Sequence, residues 1–234
     1  MILTILHVIN ILPDMKPKSS AYYQQQYRKR LREQGFVKKE VWILPENAKF
    51  LAACESRLRQ PCSMTFELDE VQSGVTTMTS GKTASEVAAW TTTSLFEALR
   101  EEALFVNGAA KIELIDGLAA TIHIEMKEYG DLPIFMTVSG EQIVVEAMLW
   151  SVDDVADVAA FNDAVLRTHK YFSLSTISLD KVGEDGDFYH MFGALSSRSL
   201  LSNVIFEIET LASNVIQATE AYSEFLSIPI AARN

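Results

Sequence analysis

The sequence predicts a two-layer α+β sandwich in which helices cover one face of an antiparallel sheet. The main observation is the stretch 111–150, where runs rich in Ile, Val, Phe and Thr flank Asp116-Gly117 and Ser139-Gly140. Such runs on either side of a glycine-containing turn indicate two consecutive β-hairpins. Helical patterns lie before and after this stretch, and a sheet with one apolar face needs helices to cover it.

The strands follow from the turn residues and from the apolar runs between them. Asp-Gly and Ser-Gly favour tight turns because glycine accepts the positive φ that such turns require. A third hairpin is predicted around Gly183 and Gly186. The predicted strands span residues 111–115, 119–125, 133–138, 142–150, 173–180 and 188–195.

A helix before the sheet is predicted from its cap and from its apolar spacing. The hydroxyl of Ser94 can accept a backbone hydrogen bond while Glu97 reaches back, which is the pattern of a capping box. We expect this helix to end at Asn107-Gly108. Its apolar side carries Leu95, Phe96, Leu99 and Leu104.

Two further helices are predicted after the first four strands. Ser151 and Asp154 form a second capping box, which opens a helix over residues 152–170, and the last helix spans about residues 199–226. The order is therefore helix, four strands, helix, two strands, helix. The apolar stripes comprise Val155, Val158, Ala159, Val165 and Leu166 in the middle helix, and Leu200, Leu201, Val204, Ile208, Leu211, Val215 and Ile216 in the last.

The charge of the chain is divided between a basic segment and an acidic one. Residues 16–60 hold 11 Lys or Arg and 4 Glu, whereas residues 61–234 hold 9 basic and 26 acidic side chains. The net charge of −11 hides this contrast. A basic module on an acidic body predicts two units with different partners; the alternative is that the two units dock on each other.

The termini and the cysteines set the expected domain limits and compartment. Residues 1–12 are apolar but too short to span a bilayer, and we interpret them as a packing arm or as a start placed before the true first residue, Met15. Cys54 and Cys62 lack the spacing of a zinc site and favour a reducing, cytoplasmic location. The predicted parts are an arm (1–19), a basic module (20–61), a linker (62–90), the α+β domain (91–228) and a tail (229–234).

The basic module has the pattern helix, strand, helix. Tyr and Leu side chains alternate with Arg, Lys and Gln over residues 20–33, and Gly35 can supply a left-handed helix cap. Residues 37–44 predict a short strand, and Pro45-Glu46 open a helix that runs to about Arg59.

The run YRKRLREQGFVKKEVWILPENAKFLAACESRL resembles the N-terminal part of ribbon-helix-helix DNA-binding proteins, over roughly residues 22–59. In that family two chains pair their strands into a ribbon that enters the major groove, so the resemblance implies a homodimer that binds DNA. One register directs Lys38, Glu40 and Trp42 to the groove, and the other directs Lys39, Val41 and Ile43. The expected DNA-binding residues are Arg28, Lys29, Arg30, Arg32, Lys38, Lys39 and Trp42.

Residues 90–226 resemble the YjfI family of bacterial proteins and, more broadly, the fold shared by type III secretion chaperones and the YbjN group. The residues that carry this resemblance are the SLFEAL helix at 94–99, the paired hairpins and the LLSNVIFEIETL helix at 200–211. The resemblance implies an α+β sandwich that binds a protein partner, and it brings no catalytic residues with it.

The sequence favours a protein that is not an enzyme. Nucleophile-elbow, Cys-His and dinucleotide-binding patterns are absent from the sequence, and we expect neither a metal nor another cofactor. His123 is predicted to lie on the surface of a strand, and His169 in the last turn of a helix. His190 lies beside the acidic turn Asp180–Asp187, which lacks the spacing of a calcium loop.

Two functions are compatible with these patterns. The first is a cytoplasmic, dimeric regulator with a DNA-binding head on an acidic, protein-binding domain. The alternative is a chaperone or adaptor in which the basic head serves only docking or dimerisation. Acidic side chains of two helices are expected to be solvated or to receive a basic partner; they are Asp153, Asp154, Asp157, Asp163, Glu207, Glu209, Glu220 and Glu224.

Overall fold

The computed structural model describes residues 18–38, 51, 54, 88–117, 119–183 and 186–227. The chain divides into two compact units, of which the larger comprises residues 1–30 and 87–234 and the smaller residues 31–86. The described helices are α1 (Ser20–Glu33), α2 (Thr92–Leu99), α3 (Ala103–Val106), α4 (Val158–Thr168) and α5 (Leu201–Ala221). The strands are β1 (Ala110–Ile115), β2 (Thr121–Met126), β3 (Leu132–Ser139), β4 (Gln142–Ser151), β5 (Thr176–Val182) and β6 (Gly186–Ser196).

Helix α1 has the predicted limits, but most of it belongs to the larger unit. The division between the units falls after Arg30, within the predicted basic module of residues 20–61. At the C-terminal end of α1, Gly35 has the expected positive φ of 84°. The predicted strand 37–44 and helix 46–59 lie almost entirely outside the described residues.

The strands form one six-stranded antiparallel sheet in the order β1-β2-β3-β4-β6-β5. This confirms the predicted α+β class with an antiparallel sheet. The second hairpin forms as predicted, but Ser139 pairs with Gln142, so its two-residue turn is Gly140-Glu141, one residue after the predicted Ser139-Gly140, with Gly140 at φ 61°. The turn predicted at Asp116-Gly117 is wrong, because Ile115 pairs with Thr121 and the connection is five residues long.

The cap of helix α2 differs from the prediction. Helix α2 begins one residue after Thr91, which forms the capping box with Ser94, so Ser94 is the third helical residue and not the cap. Glu97 pairs with Arg100 instead of reaching back. The chain offers four consecutive Thr or Ser residues here, and the first of them caps the helix.

The predicted helix 152–170 is divided into three pieces. Ser151 and Asp154 do form a capping box, but it opens only a 3₁₀ turn, Val152–Asp154. Val155 then forms a β-bridge with Leu226, and α4 begins later with Asp157 as its cap. The bridge takes Val155 out of helical geometry, which explains the interruption. A second 3₁₀ turn, His169–Tyr171, follows α4, and a third, Ser223–Phe225, follows α5.

The core lies between one face of the sheet and the helices, with α5 crossing β4 and β6. Every fourth or third residue along α5 is buried there, as the predicted stripe requires. The inward side chains of α5 include Val204, Ile208, Leu211 and Val215, and those of the central strands include Ile143, Val145, Ala147, Leu149 and Met191.

An aromatic cluster closes one end of this core. The Phe161 ring is fully buried and packs edge-to-face on Tyr189 at 4.8 Å and on Tyr222 at 5.3 Å, and Trp150 lies 5.8 Å away. Phe161 was not part of the predicted stripe of α4, whereas Leu166 was predicted to face inward and is 74% exposed. The inward face of α4 is set by Phe161 and Val165, four residues apart.

No helix among the described residues is both long enough and apolar enough to cross a membrane.

Replacing Phe161 by Ala should lower the free energy of unfolding by about 3–5 kcal/mol, because loss of the ring leaves a cavity among four aromatic side chains. Replacing Leu166 by Ala on the same helix should change it by less than about 0.5 kcal/mol, since that side chain is exposed. Urea unfolding followed by circular dichroism measures both variants. Equal losses would contradict the orientation of α4.

Candidate functional site

The N-terminal basic helix is packed on the sandwich along one stripe of its surface. Tyr23 is buried, and Gln24 Nε2 donates a hydrogen bond to the carbonyl oxygen of Ile216 over 3.3 Å. Thr219 Oγ1 donates to Ser20 Oγ at 2.7 Å. Both partners lie on α5, so the first two turns of α1 are held against the last two turns of that helix.

A close backbone approach fixes the middle of α1. Gly130, in the connection between β2 and β3, has a φ of 83°, and a Cβ at this position would lie 2.6 Å from Gln26 Cβ and 3.1 Å from the Tyr23 carbonyl oxygen. Next to it the rings of Tyr27 and Tyr129 stack at 5.3 Å. Glycine is therefore required both by the backbone and by the space.

Ion pairs complete the attachment. Arg28 Nη2 lies 3.2 Å from Glu220 Oε2, and Arg30 Nη2 lies 3.0 Å from Asp131 Oδ2. The second oxygen of Asp131 is 3.3 Å from Lys127 Nζ, and Lys127 also pairs with Glu125. Two of the predicted DNA-binding side chains thus pair with acidic residues of the sandwich.

The remaining predicted DNA-binding residues are not brought together by the described structure. Lys29, Arg32 and Lys38 are exposed, and Lys39 and Trp42 lie outside the described residues. The sequence did contain a sign of the docked face of α1, because Ser20, Tyr23, Gln24 and Tyr27 recur at helical spacing. These residues, and not the arginines alone, make the contact with the sandwich.

The histidine predicted to lie on the surface of β2 is buried. His123 is 5% exposed; its Nδ1 is 2.7 Å from Glu113 Oε1 and its ring stacks on Phe135 at 5.1 Å. His123 Nε2 has no hydrogen-bond partner among the described contacts. These residues lie on the face of the sheet opposite to α5, where the described helices do not pack.

Glu146 and His190 lie further along that second face, on β4 and β6. Both side chains are buried, and Glu146 Oε1 is 4.0 Å from His190 Nδ1, beyond hydrogen-bond distance. Burial, and to a smaller extent the nearby Asp180 carboxylate, raises the pKa of Glu146 to about 7. Burial lowers the pKa of His190, while Asp180 opposes that effect. Burial therefore favours the uncharged form of both groups.

Glu207 is a buried carboxylic acid on the core side of the sheet. The prediction that it lies on a solvated face is wrong: it is 1% exposed, and its Oε1 has no hydrogen-bond partner among the described contacts. Its carboxyl occupies the space that a side chain at Gly193 would fill. Burial raises the pKa of Glu207 to about 7. A glycine in the middle of β6 was the sequence signal for such a close approach.

An acidic corner, comprising Asp153, Asp154, Asp157 and Glu224, is assembled from distant parts of the chain. The Val155–Leu226 bridge brings them together, with Ala156 N–H bonded to the Phe225 carbonyl at 2.9 Å. Asp154 and Asp157 cap backbone amides, whereas Asp153 and Glu224 are exposed. The corner presents negative charge to solvent.

The other acidic residues of these helices have partners. Asp163 forms a bidentate pair with Arg167, and Glu220 pairs with Arg28. In the described parts of the chain, no three His, Cys, Asp or Glu side chains lie close enough together to hold a metal ion. His169 caps α4 as predicted, with Nδ1 2.6 Å from Thr176 Oγ1.

Comparison with known proteins places the sandwich in a family. Residues 89–226 match the model of the DUF2170 family, described as an uncharacterized protein conserved in bacteria. The chain is 31% identical to uncharacterized protein YjfI of Escherichia coli K12 over 102 residues, 44% of this chain and 76% of YjfI, and equally to YjfI of E. coli O157:H7. The predicted resemblance to YjfI is thus confirmed.

Two solved structures are similar to this chain at 15% sequence identity and a TM-score of 0.41. One is YbjN from E. coli, which carries the provisional description of a transcription regulator; the similarity covers 57% of this chain and 95% of YbjN. The other is an uncharacterized protein from Methanothermobacter thermautotrophicus, with 56% of this chain and 99% of that protein covered.

Replacing Glu207 by Gln should change the pH dependence of stability. Because the pKa of Glu207 is raised to about 7 in the folded state, the folded chain binds more protons than the unfolded chain between about pH 4.5 and 7. The stability given by the protonated acid is complete below that window and is lost as the pH rises through 7. At pH 8, E207Q should exceed the parent by up to about 3 kcal/mol.

The control is E209Q, which changes an exposed glutamate on the same helix and should leave the pH profile unaltered. Thermal unfolding between pH 4 and 9 measures both variants. A profile of E207Q that parallels the parent at all pH values would contradict a buried, unpaired carboxyl at Gly193.

Proposed function

This chain belongs to the DUF2170 family of bacterial proteins, and we propose that it is a non-enzymatic adaptor whose acidic sandwich binds a basic segment of another protein. The observation that supports this proposal is the packing of the basic helix α1 against the sandwich. Arg28 and Arg30 pair with Glu220 and Asp131 of the sandwich, so the helix acts as a docking element of the acidic body.

The surface proposed for the partner is the acidic corner. Asp153 and Glu224 are exposed there, and neither is engaged in an ion pair among the described contacts. The sandwich as a whole remains strongly negative, because residues 61–234 carry 26 acidic and 9 basic side chains. An excess of one sign attracts a partner of the other sign and speeds its association.

The adaptor proposal predicts a partner that crosslinks at the acidic corner. The full chain, carrying a photo-crosslinking residue in place of Asp153, is expressed in its own bacterium and the captured protein is identified. A synthetic peptide from the crosslinked segment is then titrated against the purified chain. We expect the peptide to be basic, its affinity to fall with salt, and D153N/E224Q to bind at least about tenfold more weakly.

The matched control is D116N/E141Q, which removes the same charge from two exposed positions outside the corner. It should bind the peptide within about twofold of the parent, since distant exposed charges are screened. Equal losses in both double variants, or a captured segment without basic residues, would refute the adaptor proposal.

A DNA-binding regulator is the second candidate function. Residues 16–60 hold 11 basic and 4 acidic side chains, and Lys29, Arg32 and Lys38 are exposed. Phosphate contacts from such residues give an affinity that falls steeply with salt. In this case the residues beyond Arg30, including Lys39 and Trp42, would contact the DNA, and homodimerisation would follow the ribbon-helix-helix pattern.

The DNA candidate predicts a defined pattern of variants in a salt titration against random-sequence duplex DNA. R32A, K38A and K39A should each weaken binding and lower the salt slope by about 1. R28A and R30A should leave the slope unchanged, because both side chains pair within the protein. An absence of binding at low salt would exclude this candidate.

A further inference from the structure

Strand β5 forms one outer edge of the sheet and is unusually regular. It pairs with β6 along its whole length, from Thr176↔Phe192 to Val182↔Gly186, without a bulge. Among the described strands, none pairs with its other side. The strand contains no proline, and Lys181 is its only basic residue. A regular edge of this kind is a ready template for pairing with another strand.

The two outer edge strands of the described sheet differ in their packing. Helices α2 and α3 pack against β1, and the β1 side chains Lys111 and Glu113 interact with Glu125 and His123 of β2. On β5, Leu179 is 47% exposed in the middle of the strand, whereas the apolar side chains of β1 are buried or half-buried. Of the two edge strands, β5 therefore presents the larger apolar exposure.

We propose that the β5 edge binds a second copy of this chain, with the two β5 strands antiparallel about a two-fold axis normal to the sheet. Such an axis keeps each face of the sheet on the same side, so only residues of the same face can lie opposite one another. Ile177 and Leu179 belong to the core side, because they pair with Met191 and Tyr189. Thr176, Ser178 and Asp180 belong to the other side.

Side-chain chemistry favours the Ser178-centred register over those centred on Leu179 and Asp180. Centring the axis on Asp180 places two carboxylates directly opposite, which is destabilising. Centring it on Leu179 places Lys181 opposite the apolar Ile177. Centring it on Ser178 places each Leu179 opposite Ile177 of the other copy and each Asp180 opposite a Thr176 hydroxyl.

The Ser178-centred register places one apolar pair, Leu179 and Ile177, on each side of the axis. The interface is isologous and doubles the sheet. A single pair of edge strands buries less surface than an obligate interface, so we expect a monomer–dimer equilibrium that depends on concentration.

The first test is the mass of the purified full chain by sedimentation over a range of concentrations. The parent should approach twice its 26.1 kDa at the highest concentration. L179D should remain monomeric, because it places charge on the apolar pair. The control L166D adds the same charge at the exposed Leu166 of α4 and should dimerise like the parent. Circular dichroism verifies that both variants fold.

The second test fixes the register and does not depend on L179D. In a background with Cys54 and Cys62 replaced by Ser, S178C should form a disulfide-linked dimer on oxidation, since opposite Cα atoms of paired strands lie about 4.5–5.5 Å apart. T176C and D180C should crosslink only when mixed. E113C, on the β1 edge, is the control and should stay monomeric.

A parent that stays monomeric at all concentrations would overturn the proposal. So would a dimer in which E113C crosslinks as readily as S178C. If S178C fails to crosslink while a peptide of another protein is bound at this edge, the occupant is a foreign strand and the proposed second copy is also refuted.

Discussion

The packing of helix α5 across strands β4 and β6 is the constraint on which the rest of the structure depends. Its inward stripe packs into the core, and three further segments are attached to this helix or to its C-terminal end. Asn214 donates to the Ser173 carbonyl and to Ser175, which holds the segment before β5. Tyr222 bonds Thr168 at the end of α4, and Thr219 bonds Ser20 of α1. Loss of α5 would therefore release both terminal segments as well as the core.

Helix α5 also connects the basic and the acidic segments of the sequence, because its Glu220 pairs with Arg28 of α1. A basic segment and an acidic segment in one chain are compatible with two separate partners or with each other. The Arg28–Glu220 pair is partly exposed and contributes little free energy by itself. The buried Tyr23 and Gln24 and the tight contact at Gly130 supply the larger part, and the ion pairs add orientation. Packing of buried side chains thus contributes more to the docking of α1 than the ion pairs do.

The sequence patterns predicted best those structural features that depend on neighbouring residues. The turn after β3, the limits of α1 and the stripe of α5 depend on residues a few positions apart. The limits of α1 were predicted correctly, the turn was predicted one residue early, and the stripe was correct except at Leu200, which is 59% exposed. The interruption of the helix after Ser151 depends on the bridge from Val155 to Leu226, which joins distant segments. The position of Glu207 depends on Gly193 in the same way. The bridge has no local signature, whereas a glycine within a strand does indicate a close approach but does not identify the residue that makes it.

Glu207 and Glu146 are buried carboxylic acids, which stability alone does not favour. A carboxyl without a partner is costly in a core, and a sequence selected for stability alone would place an apolar residue there. Glu207 of α5 is positioned over Gly193 of β6. Its titratable carboxyl fills the space that a side chain at position 193 would otherwise occupy. Glu146 lies on the opposite face of the same central strands and has a similar raised pKa, near 7. Each face of the strand pair β4–β6 is therefore packed against a buried carboxyl whose pKa is raised to about 7.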